Sequence, residues 1–237
     1  MKNTASNPEA PAPLIVPVGR RLFLRYAGIS VATGAVLLQA CNKNDNMATP
    51  TPSAGTVDLG SGDIGILNYA YALEQLEAAF YTQVIATPYA GITDAERTIL
   101  TEIRDHEIIH REFFKAALGT SAIAGLEVNF SAINFGDRAS VLGTARTFED
   151  LGVSAYNGAG KLIKDVNYLL LAGKIVSVEA RHAAAIRSLL SPKTASFAGD
   201  DVVTPVGGLD VSRTPAMVLP LAQAFVKTTI TANNLPK

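Results

Sequence analysis

The amino-acid sequence predicts an all-α protein, a four-helix bundle in which a long crossover joins two helix pairs. Four segments between residues 63 and 190 place apolar residues at steps of three and four, the spacing of one helix face. No segment alternates apolar and polar residues with the period of a strand. The composition agrees, because the chain has no Trp and only 7% aromatic residues, whereas sheets favour aromatic and β-branched residues.

The overall composition excludes several classes of protein. The 237 residues are 48% hydrophobic, enough to bury a packed core. A formal net charge of −1 argues against a nucleic-acid binder, which would carry a basic excess. A single Cys excludes an intramolecular disulfide framework and a multi-Cys zinc site. Three His residues exclude a His-rich metal site but allow a carboxylate-rich one.

The first 41 residues have the features of an export signal. Residues 20–25 read RRLFLR and precede an uncharged run over residues 26–40, which is shorter than the ~20 residues of a membrane-spanning helix. This pattern resembles a twin-arginine signal, and its end, LQAC, resembles a lipobox. We therefore predict an exported protein of the periplasm or cell surface, anchored to the membrane by a lipid on Cys41. The polar, then Thr/Pro/Ser/Gly-rich, residues 42–62 are predicted to be a flexible linker.

The first helix pair follows the linker. The first helix is predicted to run from residue 63 to the Pro- and Gly-containing residues 88–91. Its inward face comprises Ile64, Leu67, Tyr71, Glu74, Ala78, Tyr81 and Ile85. Thr93 and Glu96 have the spacing of a capping box, so the second helix begins directly after Thr93 and ends at Gly119. Its inward face comprises Leu100, Ile103, Glu107, His110, Phe114 and Ala117.

The second pair follows a crossover over residues 119–138, which show no period. The third helix carries Leu142, Ala145, Glu149, Gly152, Tyr156, Ala159 and Ile163 on its inward face. After a break at residues 165–167, the fourth carries Ala172, Ile175, Glu179, His182, Ile186 and Leu189. The bundle thus covers residues 63–190, and residues 191–237 form an irregular extension packed on it. The pattern allows a short fifth helix over residues 216–226, with Val218, Leu221, Ala222 and Phe225 inward.

Each predicted helix carries a Glu on the face that is otherwise apolar. These residues are Glu74, Glu107, Glu149 and Glu179. A carboxylate in a bundle core is unfavourable unless it is neutralised, paired or bound to a cation. His110 and His182 each lie three residues after one of these carboxylates, so both side chains of each pair project from the same helix face. We interpret the four helices as carrying the ligands of a metal site.

The two halves of the bundle repeat this arrangement. Tyr81 follows Glu74 by seven residues, and Tyr156 follows Glu149 by the same interval. A two-fold repeat would place two equivalent half-sites face to face. Two divalent cations would balance the four carboxylates, and oxygen ligands with one imidazole per metal suit Fe or Mn. The sequence therefore predicts a dinuclear centre of two Fe or two Mn ions.

Four segments resemble the ferritin-like family that includes desiccation-related and exported bacterial proteins. They read LNYAYALEQLEAAFY, EIRDHEIIHREFFKAALG, FEDLGVSAYNGAG and IVSVEARHAAAIRSLL, and the resemblance covers roughly residues 63–190. It implies that Glu107 and Glu179 bridge the two metals. The other implied ligands are the terminal carboxylates Glu74 and Glu149 and the capping imidazoles His110 and His182. Tyr81 and Tyr156 are candidate catalytic residues, either as hydrogen-bond donors or in electron transfer, with core packing as the alternative.

Several alternatives stay open at this point. Glu77 lies one turn after Glu74 and is an alternative ligand, His106 is expected beside the site rather than on the metal, and Asp150 is expected to be solvated. The resemblance implies an oxidoreductase acting on O2 or peroxide, as a ferroxidase or peroxide-removing enzyme with Fe, or catalase-like with Mn. The alternative is a non-catalytic structural or stress-protective bundle of the cell envelope. A homodimer is compatible with either function.

Overall fold

The computed structural model describes residues 52–53 and 55–237. The predicted signal over residues 1–41, with Cys41, and most of the predicted linker lie outside the described residues. Within the described part of the chain, no helix is both long enough and apolar enough to span a membrane.

Four long helices and one short helix dominate the described residues, which confirms the predicted all-α bundle with a C-terminal extension. The helices are α1 (Gly62–Ala86), α2 (Asp94–Leu118), α3 (Arg138–Gly160), α4 (Val166–Leu190) and α5 (Pro215–Gln223). Helix α1 packs mainly on α2, and α3 packs mainly on α4. Because short joints connect the members of each pair, each pair forms a helical hairpin, and residues 119–137 cross between the two hairpins.

Local sequence signals set the helix ends. Thr93 and Glu96 form the predicted capping box at the start of α2, and Gly119 ends that helix with a φ of 54°, a backbone conformation that favours glycine. Asp137 and Asp165 accept hydrogen bonds from backbone N–H groups in the first turns of α3 and α4. These caps satisfy donors that have no partner inside the helix.

Short strands add to the helical fold, although the sequence showed no strand period. Strand β1 (Pro52–Ser53) pairs in parallel with β3 (Gly125–Leu126), and β2 (Thr56–Asp58) pairs in parallel with β4 (Thr229–Thr231). Strands of two or three residues are too short to display a period. The end of the predicted linker is also not flexible, because strand β2 lies within it and Val57 and Leu59 are buried in the core. The last part of the expected linker therefore belongs to the folded domain.

The core is centred on α1, whose residues between Gly65 and Ala78 are all buried. This helix contacts α2, α3, α5 and strand β3, so no side of its middle turns faces water. An aromatic cluster closes one part of the core around Phe80, with Tyr81, Phe130, Phe135 and Phe148 at ring distances of 5.1–6.0 Å. The crossover thus supplies two of the core aromatic residues.

The C-terminal extension packs closely on the bundle. A Cβ on Gly158 of α3 would lie 1.7 Å from the carbonyl oxygen of Arg213, so only glycine allows this approach. In α5, Val218 and Ala222 are buried as predicted, and the Phe225 ring lies 4.8 Å from that of Phe148. The prediction for Leu221 was wrong, because it is 51% exposed.

A cluster of ion pairs around Arg187 connects residues 195–211 of the extension to the bundle. The buried guanidinium of Arg187 on α4 donates to both carboxylate oxygens of Asp150 on α3 and to both of Asp201 in the extension. It also donates to the carbonyl of Ser196. The expectation that Asp150 is solvated was wrong, because its carboxylate is held by Arg187 and is only 17% exposed.

Candidate metal centre

The six predicted ligands meet inside the bundle. Helix α1 contributes Glu74, α2 contributes Glu107 and His110, α3 contributes Glu149, and α4 contributes Glu179 and His182. The four carboxylates have no exposed surface, and both histidines are buried. Because each helix brings its inward face to the same level, residues far apart in the chain converge on one point.

The ligand atoms form two overlapping groups. Glu74, Glu107, His110 and Glu179 make one group, and Glu107, Glu149, Glu179 and His182 make the other. Within each group the candidate ligand atoms lie within 4.8 Å of one another. Glu107 and Glu179 belong to both groups, which is the placement required of bridging carboxylates. Glu74 and Glu149 each belong to a single group, as terminal carboxylates would.

Each histidine turns Nδ1 towards the carboxylates. Nδ1 of His110 lies 2.8 Å from Glu179 Oε1 and 3.4 Å from Glu74 Oε2. Nδ1 of His182 lies 2.8 Å from Glu107 Oε1 and 3.6 Å from Glu149 Oε2. Both nitrogens therefore approach the shared Glu of the facing helix most closely, and the two half-sites have the same plan.

Two tyrosines join the half-sites across the bundle. Tyr81 on α1 donates to Oε1 of Glu149 on α3, at 2.5 Å. Tyr156 on α3 donates in turn to Oε1 of Glu74 on α1. Each terminal Glu thus has one oxygen fixed by a tyrosine and its other oxygen free to bind a cation.

The remaining polar atoms fit a pair of cations. Among the described residues, eight buried atoms of the six side chains make no hydrogen bond of acceptable geometry, although each histidine Nδ1 lies 2.8 Å from an oxygen of a shared Glu. They are Oε2 of Glu74 and Glu149, both carboxylate oxygens of Glu107 and Glu179, and Nδ1 of His110 and His182. Buried polar atoms without partners are rare and unfavourable. Their convergence in two groups gives each of two cations three carboxylates and one imidazole.

The electrostatics of these groups reflect crowding of like charges in a buried site. Burial raises the pKa of Glu149 to about 7, and burial together with Glu179 raises that of Glu107 well above its ordinary range. Burial also opposes ionisation of Glu179, but the adjacent imidazoles of His110 and His182 outweigh it and lower that pKa to about 2. Without a cation, the site therefore holds protons that a metal would displace.

A comparison with known families agrees with this geometry. A profile of the ferritin-like domain matches residues 62–192, more than half of the chain. The chain belongs to the ferritin-like domain family. A search of curated proteins finds no match. The match covers all four long helices, and the six convergent side chains lie within it.

This ferritin-like protein places Glu77 outside both ligand groups. Glu77 is buried, and its pKa is raised well above the ordinary value by burial and by the neighbouring carboxylates, Glu107 first. A Cβ on Gly152 would lie 3.1 Å from Glu77 Oε1, so the carboxylate occupies the space beside that glycine. The geometry thus favours Glu74 over Glu77 as the ligand from α1.

The ferritin-like protein also places His106 behind one ligand. Nδ1 of His106 lies 2.9 Å from Nε2 of His182, the nitrogen that faces away from the carboxylates. This position beside the site agrees with the sequence expectation, and a partner on the outer nitrogen of a metal-binding histidine fixes its ring orientation. Val178 occupies the corresponding sequence position in the other half, directly before Glu179. The two half-sites therefore differ in their surroundings.

Sequence reasoning missed two features of this site. The pairing of each tyrosine with the Glu of the other hairpin could not be read from the chain, although the equal spacing of seven residues placed them at one level. The space for the Glu77 side chain could have been predicted from the repeat. Glu77 lies three positions after Glu74, and Gly152 lies three positions after Glu149. The repeat thus places a glycine in one half opposite the additional carboxylate of the other half.

Proposed function

We propose that this ferritin-like protein binds a dinuclear centre of two Fe or two Mn ions and acts as an oxidoreductase on O2 or peroxide. The observation that carries the proposal is the set of eight buried, unpartnered ligand atoms arranged as two groups with two shared carboxylates. A purely structural bundle has no need for four carboxylates in its core, where they oppose folding.

The donor set supports Fe or Mn over other metals. Each group offers three carboxylates and one imidazole, and hard oxygen donors suit these ions, whereas soft sulfur donors would favour Cu(I) or structural Zn. Glu107 and Glu179 would bridge the ions, while Glu74 with His110 and Glu149 with His182 would complete each half. Two Fe(II) ions held side by side can each supply one electron to bound O2 or peroxide.

The chain's own residues would prepare this site for redox chemistry. Tyr81 and Tyr156 fix the terminal carboxylates, so that the free oxygens keep their orientation before metal binds. The complete burial of the carboxylates excludes bulk water, which strengthens their interaction with cations. The histidines bring their inner nitrogens to the shared carboxylates without adding charge once they are neutral.

We also propose that the protein is exported and anchored through Cys41. The support is the RRLFLR sequence followed by an uncharged run that ends at the only Cys of the chain. Twin-arginine export carries folded proteins, so the metals would be inserted in the cytoplasm. That route would avoid competition from Cu and Zn outside, which bind most sites more tightly than Mn or Fe.

Metal content tests the proposal most directly. The full chain is loaded anaerobically with Fe(II) or Mn(II), desalted, and analysed by plasma mass spectrometry. We expect about two ions per chain in the wild type and in the control Glu102→Ala, which changes an exposed carboxylate on α2. The Glu107→Ala/Glu179→Ala variant should retain none. A folded wild type without metal would overturn the proposal.

Reaction with oxidants separates the enzyme from the structural alternative. The Fe-loaded chain is mixed with O2 or with hydrogen peroxide, and oxidation of Fe(II) is followed by absorbance. We expect oxidation that is faster than that of free Fe(II) and is lost in the double variant. Stoichiometric metal with no such reaction would instead favour the non-catalytic bundle of the cell envelope.

A further inference from the structure

An apolar cavity lies between the four long helices, next to the metal centre. Its volume is about 20 Å³, room for one small molecule, and it is partly open to solvent. Its wall includes Leu73 of α1, Phe114 of α2, Ala159 of α3 and Ala172 of α4. The cavity is thus an internal feature of the bundle rather than a groove on one surface.

The inner end of the cavity is bordered by a residue that bonds to a predicted metal ligand. Tyr156 lines the cavity, and its hydroxyl donates to Glu74, a terminal carboxylate of one half-site. Tyr156 is buried, and burial, followed by the charge of Glu74, raises its pKa well above the ordinary value. A single side chain therefore separates the cavity from the carboxylate cluster.

The outer end opens at the joint between α3 and α4. The lining residues Gly160, Ile163 and Ala172 are partly exposed, whereas the remaining lining residues are buried. Tyr156 and Gly160 lie one turn apart on α3, about 6 Å along the helix axis. The cavity therefore leads from the bundle surface towards Tyr156, which borders the metal centre.

The apolar lining of the cavity favours small neutral molecules over charged or hydrated ones. Among the described residues that line the cavity, every side chain is apolar apart from the hydroxyls of Tyr69 and Tyr156. The Tyr69 hydroxyl is buried without a partner, and that of Tyr156 already donates to Glu74. A charged or strongly hydrated molecule would lose its hydrogen bonds to water and gain at most one in return. A small neutral molecule with little hydration loses almost nothing.

The geometry points to this cavity as the entry path of dioxygen to the metal centre. The inference rests on the proposed function and deepens it, because it names O2 rather than hydrogen peroxide as the oxidant that uses this path. Hydrogen peroxide has two O–H donors, of which the unpartnered Tyr69 hydroxyl can accept at most one, whereas O2 is apolar and needs none.

Xenon binding tests the cavity without any metal. Xenon occupies dry apolar cavities, and its binding to the metal-free full chain is measured by ¹²⁹Xe NMR and by xenon-pressurised crystals. We expect one site near Leu73, Phe114 and Ala159. Ala159→Leu would fill the interior of the cavity, and Ala172→Phe would block its outer end. Each variant should weaken xenon binding several-fold.

The control for these variants is Ala117→Phe. Ala117 was expected to face inward but is exposed on α2, so this variant adds the same ring away from the cavity and should bind xenon as the wild type does. Ala172 is only partly buried, so Ala172→Phe keeps the test valid if Ala159→Leu fails to fold. Absence of a xenon site in the folded wild type would overturn the inference.

Oxidation kinetics test the identity of the molecule that enters. Fe(II)-loaded wild type and variants are mixed with O2 or with hydrogen peroxide in a stopped-flow instrument. We expect Ala172→Phe to slow the O2 reaction several-fold at unchanged metal content, with the peroxide reaction unaltered. Equal rates with O2 for Ala172→Phe and the wild type would contradict the inference.

The failure of the inference and the failure of the proposed function give different results. If the chain binds neither Fe nor Mn, the proposed function fails and the assignment of dioxygen fails with it, even where xenon binds. If Fe binds and is oxidised but xenon does not bind, only the entry path is wrong.

Discussion

The hydroxyl of Tyr81 on α1 donates a 2.5 Å hydrogen bond to Glu149 on α3. Its counterpart Tyr156 on α3 donates to Glu74 on α1, so each hairpin fixes a terminal carboxylate of the other. The donors are separated from their acceptors by 68 and 82 residues in the chain. This exchange of hydrogen bonds couples the position of the two hairpins to the shape of the metal centre.

Removal of either hydroxyl should weaken both the fold and the metal site. We expect Tyr81→Phe or Tyr156→Phe to lower the free energy of unfolding by about 2 kcal/mol, because a hydrogen bond to a buried charged acceptor is lost. Metal affinity should fall by about 10-fold, since the carboxylate is no longer held in place. Urea unfolding and metal titration measure the two effects.

The matched control is Tyr69→Phe, which removes a buried hydroxyl that has no partner. Its free energy of unfolding should equal or exceed that of the wild type, because no hydrogen bond is lost. Equal losses in Tyr69→Phe and Tyr81→Phe would show that the bond to Glu149 has no special role.

Single carboxylate variants should distinguish shared from terminal ligands. We expect Glu107→Gln to lose both metals, because Glu107 belongs to both ligand groups. Glu74→Gln should lose or weaken only the metal bound near His110. Glu77→Gln should retain the stoichiometry of the wild type, because Glu77 belongs to neither group.

Metal counts and anomalous diffraction from Mn-loaded crystals measure these outcomes. Loss of metal in Glu77→Gln with full loading of Glu74→Gln would reverse the assignment of the α1 ligand.

The stability of the metal-free protein should fall as the pH rises from 5 to 8. Burial raises the pKa of Glu149 from 4.5 to about 7, so the folded state binds more protons than the unfolded state across this window. Desolvation lowers the pKa of His182, but the adjacent carboxylates, Glu107 first, outweigh it and raise the pKa from 6.5 to about 12. The contribution of His182 to the free energy of unfolding is therefore complete below pH 6.5 and decreases above it.

Ionisation of Glu179 changes the stability in the opposite direction, but only at a pH below the range of 5 to 8. Its pKa is lowered from 4.5 to about 2, so its contribution is present above pH 4.5 and is lost only in acid. Stabilisation by added Mn(II) should increase with pH, because the metal competes with protons for the ligands.

Thermal unfolding with and without EDTA checks both trends. We expect Tm of the metal-free chain to be lower at pH 8 than at pH 5 by at least about 3 °C. The Glu149→Gln variant should show a weaker dependence, since its side chain does not titrate. A metal-free Tm that rises over this range would contradict the assigned protonation of the cluster.

The ion cluster around Arg187 should anchor the C-terminal extension. We expect Arg187→Met to lower the free energy of unfolding by about 3 kcal/mol, because it leaves the carboxylate of Asp150 partly buried without its partner. The exposed pair of Lys227 and Glu127 is the comparison, and Lys227→Met should cost less than about 1 kcal/mol. Proteolysis within residues 195–211 should also become faster in Arg187→Met alone.

Local sequence patterns predicted much of the fold because their signals span only one helix. Intervals of three, four and seven residues place side chains on one face whatever lies opposite. The helix caps at Thr93 and the stop at Gly119 depend on a few neighbouring residues, and the structure confirms both. The export signal, lipidation of Cys41, the desiccation-related subtype and a homodimer stay predictions, because no observation on the described residues tests them.

Contacts between distant residues were beyond these patterns. The short parallel strands join residues such as Val57 and Ile230, and Arg187 reaches Asp150 across 37 residues. The predictions for Leu221, Asp150 and the final linker residues were wrong for a related reason. Each depends on which segment of the chain lies opposite, and a local pattern does not contain that information.

The sequence by itself determined four helices, the carboxylate on each inward face and the two Glu-x-x-His pairs, because helical geometry fixes which residues share a face. Only the tertiary structure decided which carboxylates are shared, which tyrosine fixes which Glu, and that Glu77 stands beside Gly152 rather than in a ligand group. Those relationships depend on the rotation and relative height of neighbouring helices. Packing of the whole core sets both quantities, since every side chain must fit at once.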